Sequence, residues 1–209
     1  MTPYYETKLG KLYHGDCLEI MPNLEPVDLV LTDPPYGIGN IWKGGAGGAS
    51  SWKIKATETH KWDMKTSDGV ESLVKIKTVI IWGGNYYNLP PTRCWFVWDK
   101  KQPDTWTTGQ AEIAWTNIDK PIRVFRMAQC EAHSTMNKQH PSQKPVALMM
   151  WCLKWVPNDI VIDPFFGSGT TAIACERLNR RWIGIEIEER YCQIAVKRIE
   201  KERSQLKLW

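Results

Sequence analysis

Asp33, Pro34, Pro35 and Tyr36 follow directly on an apolar run, residues 27–32. The two prolines remove two backbone donors and force a rigid, extended exit from that run. A carboxylate, free carbonyls and an aromatic ring are thereby held in fixed relation. That set suits an exocyclic base amine, whose lone pair is delocalised into its ring and makes the nitrogen a poor nucleophile. Acceptors from Asp33 and the Pro34 carbonyl would hold the two amine hydrogens and favour a pyramidal nitrogen, its lone pair turned toward an electrophile. Tyr36 would stack on the base once it is flipped from a duplex. The plainer reading of the same residues is an Asp-Pro turn after a strand.

The second candidate is Asp163-Pro164-Phe165-Phe166-Gly167-Ser168-Gly169-Thr170. It follows the run 160–163 and opens a helical stretch. Gly167 and Gly169 permit a tight turn and close approach of backbone to a ligand. A phosphate loop would end in Gly-Lys-Ser/Thr, whereas Gly169 is followed by Thr170 and Thr171. Glu186 lies in the next apolar run, 182–187, where an acid accepts hydrogen bonds from ribose hydroxyls in dinucleotide-binding folds. On its own it reads as an exposed strand-end charge.

Together these motifs resemble those of the DNA amino-methyltransferases, over most of the chain. The resemblance implies that Asp33, Pro34, Pro35 and Tyr36 are the catalytic motif, with Asp33 also beside the cofactor. It implies that Asp163, Pro164, Phe165, Gly167, Ser168, Gly169 and Thr170 form the S-adenosylmethionine loop and that Glu186 holds the ribose. The catalytic motif precedes the cofactor loop, which resembles the circularly permuted β group of the family. His140-Pro141-Ser142-Gln143-Lys144-Pro145 looks like the segment before the loop in that group, which implies Ser142, Gln143 and Lys144 near the methionine end of the cofactor. Gly15-Asp16-Cys17-Leu18-Glu19 looks like the N-terminal segment that contacts the cofactor's adenine, chiefly through Asp16 and Cys17. The implied partner is DNA, and the implied reaction is methyl transfer to adenine N6. Asp at position 33 leans toward adenine in the family and Ser toward cytosine, so cytosine N4 is the alternative.

The elements that must position these residues follow from periodicity. Runs 27–32, 78–82, 95–98, 160–163 and 182–187 read as buried parallel strands, with a less apolar strand at 11–14. Val146, Met149, Met150 and Leu153 follow helical spacing, as do Tyr191, Ala195 and Ile199. Asn179 is a plausible C-terminal cap for the helix starting near Thr170, and Pro157-Asn158-Asp159 is a turn. The fold expected is α/β and Rossmann-like, a mostly parallel central sheet with helices on both faces and ligands at the carboxyl ends of the strands. One methyltransferase domain is expected over 1–209. The glycine-rich stretch at 37–61 reads as a mobile loop, with Trp42, Trp52 and three lysines to lie over DNA. Residues 99–140 read as a short target-recognition insertion, with 111–115 and 122–127 as two strands of one hairpin.

Composition sets outer limits. The 209 residues are 43% hydrophobic and 24% charged, with net charge +4. This is a soluble globular composition with a mild basic excess that suits a nucleic-acid partner. No membrane-length apolar run or signal-like N-terminus is evident, so a cytosolic location without membrane attachment is expected. The six cysteines lack metal-knuckle spacing, so reduced, mostly buried thiols are expected rather than a metal site. So short a recognition region fits a dimer, a very short target or relaxed specificity, by analogy with compact solitary methyltransferases of phages and mobile elements. Two rival classes are a non-catalytic DNA-binding relative, disfavoured by the intact motifs, and a nucleotide hydrolase, disfavoured by the missing loop lysine.

Overall fold

The computed structural model describes residues 1–38, 63, 65–105, 109–128, 130–131, 143–157 and 160–206. The expectations for the loop beyond residue 38, for Trp42 and Trp52, for Ser142 and for Asn158-Asp159 lie outside the described residues.

Among the described residues nine strands form one sheet: β1 (Tyr5–Glu6), β2 (Gly10–His14), β3 (Leu29–Thr32), β4 (Thr78–Trp82), β5 (Trp95–Asp99), β6 (Ala111–Thr116), β7 (Arg123–Arg126), β8 (Val161–Asp163) and β9 (Trp182–Glu186). The helices are α1 (Cys17–Ile20), α2 (Val146–Leu153), α3 (Thr170–Arg177) and α4 (Glu189–Leu206). The strand order is β1-β2-β9-β8-β3-β4-β6-β5-β7. From β2 to β4 all neighbours are parallel, as the continuous apolar runs predict for strands covered on both sides.

Side-chain alternation divides the core into two layers. Leu12, Leu29, Leu31, Ile80, Trp82 and Trp182 face one side, under α2, α3 and α4. Tyr13, Val30, Val79, Ile81, Ile183 and Ile185 face the other, against Ile20 of α1 and the 3-10 segment Val70–Lys75. Helical cover on both faces is therefore borne out. The cysteines are unpaired, and Cys94, Cys152, Cys175 and Cys192 are buried. Asn179 takes a left-handed φ of 51° after α3. The Asn179 N–H donates to the Glu176 carbonyl and the Arg180 N–H to the Cys175 carbonyl, the paired bonds that close a helix at a left-handed residue.

The expectation of a 111–115/122–127 hairpin is corrected. β5 lies between the two strands: β6 pairs with it antiparallel and β7 pairs with it parallel. The Asp119-Lys120-Pro121 segment crosses over β5 instead of turning tightly. β5 is also corrected from a strand buried on both faces, because its burial alternates along the strand. Its outer neighbour β7 is an edge strand with Ile122 and Val124 exposed beside it. Among the described residues no helix is long and apolar enough to cross a membrane.

Candidate active site

β3 leads to β4 on one side, and β8 leads to β9 on the other. The chain therefore reverses its winding between adjacent β3 and β8, and a crevice opens at the carboxyl ends of strands at such a point. A cavity of about 550 Å³ lies there, within the roughly 300–1,000 Å³ of typical ligand pockets. Of the residues singled out in the sequence, Asp16, Cys17, Asp33, Pro35, Gln143, Lys144, Asp163, Pro164, Phe165, Gly167, Ser168, Thr170 and Glu186 line it. Pro34, Tyr36 and Gly169 are not among its lining residues.

The glycine loop is held from three directions. Asp163 is buried beneath it, accepting from Thr32 Oγ1 at 2.6 Å, Thr171 Oγ1 at 2.6 Å and the Phe165 N–H at 3.2 Å. Burial pushes its pKa up to about 6 against those hydrogen bonds. Glu186 accepts the Gly167 N–H at 2.7 Å on one oxygen and the Glu188 N–H at 2.9 Å on the other. Burial raises its pKa as well. Arg198 of α4, which no sequence pattern singled out, reaches the Ser168 hydroxyl at 2.7 Å, and Ser168 in turn donates to Gln143 at 3.2 Å. Gly167 has a φ of 51°, and a Cβ added to it would meet no atom within 4 Å. The glycine thus leaves room at the cavity wall for a ligand to approach the backbone. Gly169 serves packing instead: its Cβ would lie 3.0 Å from that of Ala195 on α4.

Asp16 caps α1 by accepting the Leu18 N–H at 2.8 Å. The neighbouring Cys17 thiol is pushed up to about 11 by burial and by the Asp16 carboxylate, so it stays neutral at the cavity edge.

At the end of β3, both oxygens of Asp33 are engaged. Tyr36 Oη donates to Oδ1 at 2.5 Å and Lys144 Nζ to Oδ2 at 2.6 Å. Burial raises the Asp33 pKa and the Lys144 charge opposes it. Lys144 also donates to Tyr36 Oη at 3.0 Å and pairs with Glu112 Oε2 at 3.1 Å. Asp33 and Tyr36 accept hydrogen bonds from the ammonium, whereas Glu112 Oε2 stands at ion-pair distance without a hydrogen bond to it. The structure thus places Lys144 against the Asp33 motif, where it also lines the cavity. The motif's backbone is pinned by Asp63, whose Oδ1 accepts the N–H groups of Tyr36 and Gly37 at 2.5 and 2.8 Å. Tyr87 Oη donates to the Pro35 carbonyl. The Tyr36 ring stacks on Tyr86, with centroids 4.8 Å apart and planes at 16°.

Sequence reasoning missed Glu112, Lys100, Asp63, Tyr86 and Arg198. Only Glu112 left a signal, as the single acid inside the strand run Ala111–Thr116.

This arrangement defines a Rossmann-like methyltransferase fold, with a ligand loop and a carboxylate motif facing each other across one crevice. Residues 94–197 match the family model described as DNA methylase. The type II methyltransferase M2.LlaDCHI of Lactococcus lactis subsp. cremoris is 25% identical over 252 aligned positions, covering 95% of this chain and 92% of its own. M2.DpnII of Streptococcus pneumoniae is 26% identical, covering 96% and 93%. Among solved structures, the M1.HpyAVI–SAM complex superposes with a TM-score of 0.57 at 24% identity, over 91% of this chain and all of that one. The cytosine-N4-specific PvuII DNA methyltransferase gives 0.61 at 19%, over 97% and 93%. Residues 94–197 are thus similar to the DNA methylases, a family that uses S-adenosylmethionine. The open face of Gly167, the ribose-competent Glu186 carboxylate and the cavity volume fit that cofactor.

Proposed function

We propose that this chain transfers a methyl group from S-adenosylmethionine to N6 of an adenine flipped out of DNA. One observation carries the reading: Asp33 and Gly167 line the same cavity from adjacent strand ends, so an amine held by the one faces a cofactor held by the other. The cofactor supplies an electrophilic methyl group. Glu186 binds the ribose through the lone pairs its two backbone donors leave free. Asp16 and Cys17 flank the adenine, Gln143 and Lys144 lie toward the methionine end, and the turn from Pro164 to Thr170 closes over the cofactor. Asp163 supports that turn from below.

Asp33 and the Pro34 carbonyl accept the two hydrogens of the target amine and turn its lone pair toward the methyl group. Tyr36 offers a stacking face, which Tyr86 covers in this structure. Tyr86 is 42% exposed, free to move aside for a base. The adenine assignment rests on the carboxylate at position 33. A dimer would supply further DNA-contacting surface, and sedimentation with and without duplex tests that part.

The decisive experiment incubates the purified chain with DNA and labelled S-adenosylmethionine, digests to nucleosides and separates them. Label is expected in N6-methyladenosine. Label confined to N4-methylcytidine would overturn the base and leave the site; no label on any nucleoside would overturn the reaction.

A further inference from the structure

We propose that Glu112 is a positioning residue for this site: it anchors the Lys144 ammonium from the side away from the cavity and thereby sets the charge state and orientation of Asp33. The inference deepens the methyl-transfer reading and rests on it. Four charges alternate in a line. Lys100 Nζ meets Glu112 Oε1 at 2.6 Å, Glu112 Oε2 meets Lys144 Nζ at 3.1 Å, and Lys144 Nζ meets Asp33 Oδ2 at 2.6 Å. The lysines are buried, Lys100 at 8% and Lys144 at 5% exposed, so solvent screens these pairs little. Topology delivers the outer pair. β6 runs against β4, so its first residues, rather than its last, reach the carboxyl ends of the parallel strands. There the Lys100 N–H donates to the Gln110 carbonyl across the β5–β6 ladder.

The line is neutral as a whole, so each member's charge is balanced by its neighbours. Lys144 is what opposes burial in keeping Asp33 ionised, and Glu112 divides the attention of that lysine. Without Glu112, the ammonium would answer to Asp33 and Tyr36 alone. A carboxylate so tightly paired is a poorer acceptor for an incoming amine. The other groups facing Asp33 are the Tyr36 hydroxyl, Tyr87 behind Pro35, and Asp163 on β8.

The signs separate this role from packing. Glu112→Gln removes a negative charge, which lowers the pKa of both Asp33 and Lys144. Both limbs of the rate profile then move to lower pH, by about one unit or more for a contact of this length. Lys100→Gln removes a positive charge, and both limbs move to higher pH by less. The test measures kcat and the cofactor KM against pH for wild type and both variants. Opposite displacements with unchanged KM are expected. Unmoved limbs, or displacement in the same direction for both variants, would overturn the proposal. Carbon NMR titration of the Asp33 carboxyl in the same three proteins reads the coupling without turnover. If the wild type transfers no methyl group, the methyl-transfer reading fails while the Asp33 titration still decides the coupling. Coincident titrations would sink the role of Glu112 even in an active enzyme.

Discussion

The two halves of the sheet carry the site in different ways. The parallel half, β2-β9-β8-β3-β4, is buried on both faces and sends all its carboxyl ends to one edge. Its functional residues arrive at the last positions of those strands, Asp163 and Glu186, or on the turns that leave them, Asp16, Asp33 and the glycine loop. The mixed half, β6-β5-β7, reverses direction; burial alternates along β5 and β7 and deepens along β6, and its contribution comes from inside strand β6 and just past β5. The parallel half thus presents loops to the ligand, and the mixed half places charges behind them. Loss of a residue in the first should strike binding or chemistry directly. Loss in the second should act through charge.

The sharpest break in that contrast is Asp33→Ala. Turnover should fall by about 100-fold or more, the scale for one preorganised polar contact at the reacting group, with cofactor affinity by calorimetry nearly intact. Loss of cofactor binding along with turnover would show that Asp33 holds the cofactor rather than the amine. Glu186→Ala comes next and should weaken cofactor binding by about 1.5–3 kcal/mol, the range for hydrogen bonds to a charged group. Unchanged affinity would move the ribose partner elsewhere.

The halves should also respond oppositely to pH. Asp163 has a folded pKa of about 6, above the roughly 3.9 of an unfolded chain. Its ionisation therefore costs stability above about pH 6, and that cost disappears as pH falls toward the unfolded value. Glu112 is pushed up by burial but held down to about 2 by Lys144 and Lys100, below the roughly 4.3 of an unfolded glutamate. Its contribution is present above that value and is lost as pH falls through about 2. Melting temperatures relative to wild type should rise with pH for Asp163→Asn and fall with pH for Glu112→Gln. Difference curves of the same slope would refute the assignment. The smallest effect belongs to the edge: Val124→Thr on β7, 38% exposed, should change stability by within about 0.5 kcal/mol.

What the sequence made legible follows the same division. β3, β4, β8 and β9 were readable because a strand covered on both faces is a continuous apolar run, and the two motifs sit at its end. Asp33, Gly167 and Glu186 were therefore placed correctly in one crevice. The partner of Lys144 was not readable, because it lies 32 residues away on a strand whose pairing depends on β5. The supposed hairpin failed for the same reason: Pro121 and Asp119 suit a tight turn, but β5 already occupied the place beside β6. Asp63 and Tyr86 carry no local pattern that sets them apart from surface polar and aromatic residues.

The strand order has a consequence for how the protein is made. β2 and β3 are neighbours in the chain, yet β9 and β8 lie between them in the sheet. A nascent chain has completed β2, β3 and β4 long before the strands that fill the gap leave the ribosome. Until then β2 lacks its parallel partner and β3 is open on one edge, both templates for wrong pairing. Contacts such as Thr7 with Glu176, 169 positions apart, form only after nearly all of the chain has been synthesised. Such non-local closure slows folding, and the crevice can close only after β8 and β9 have left the ribosome to take their places between β2 and β3.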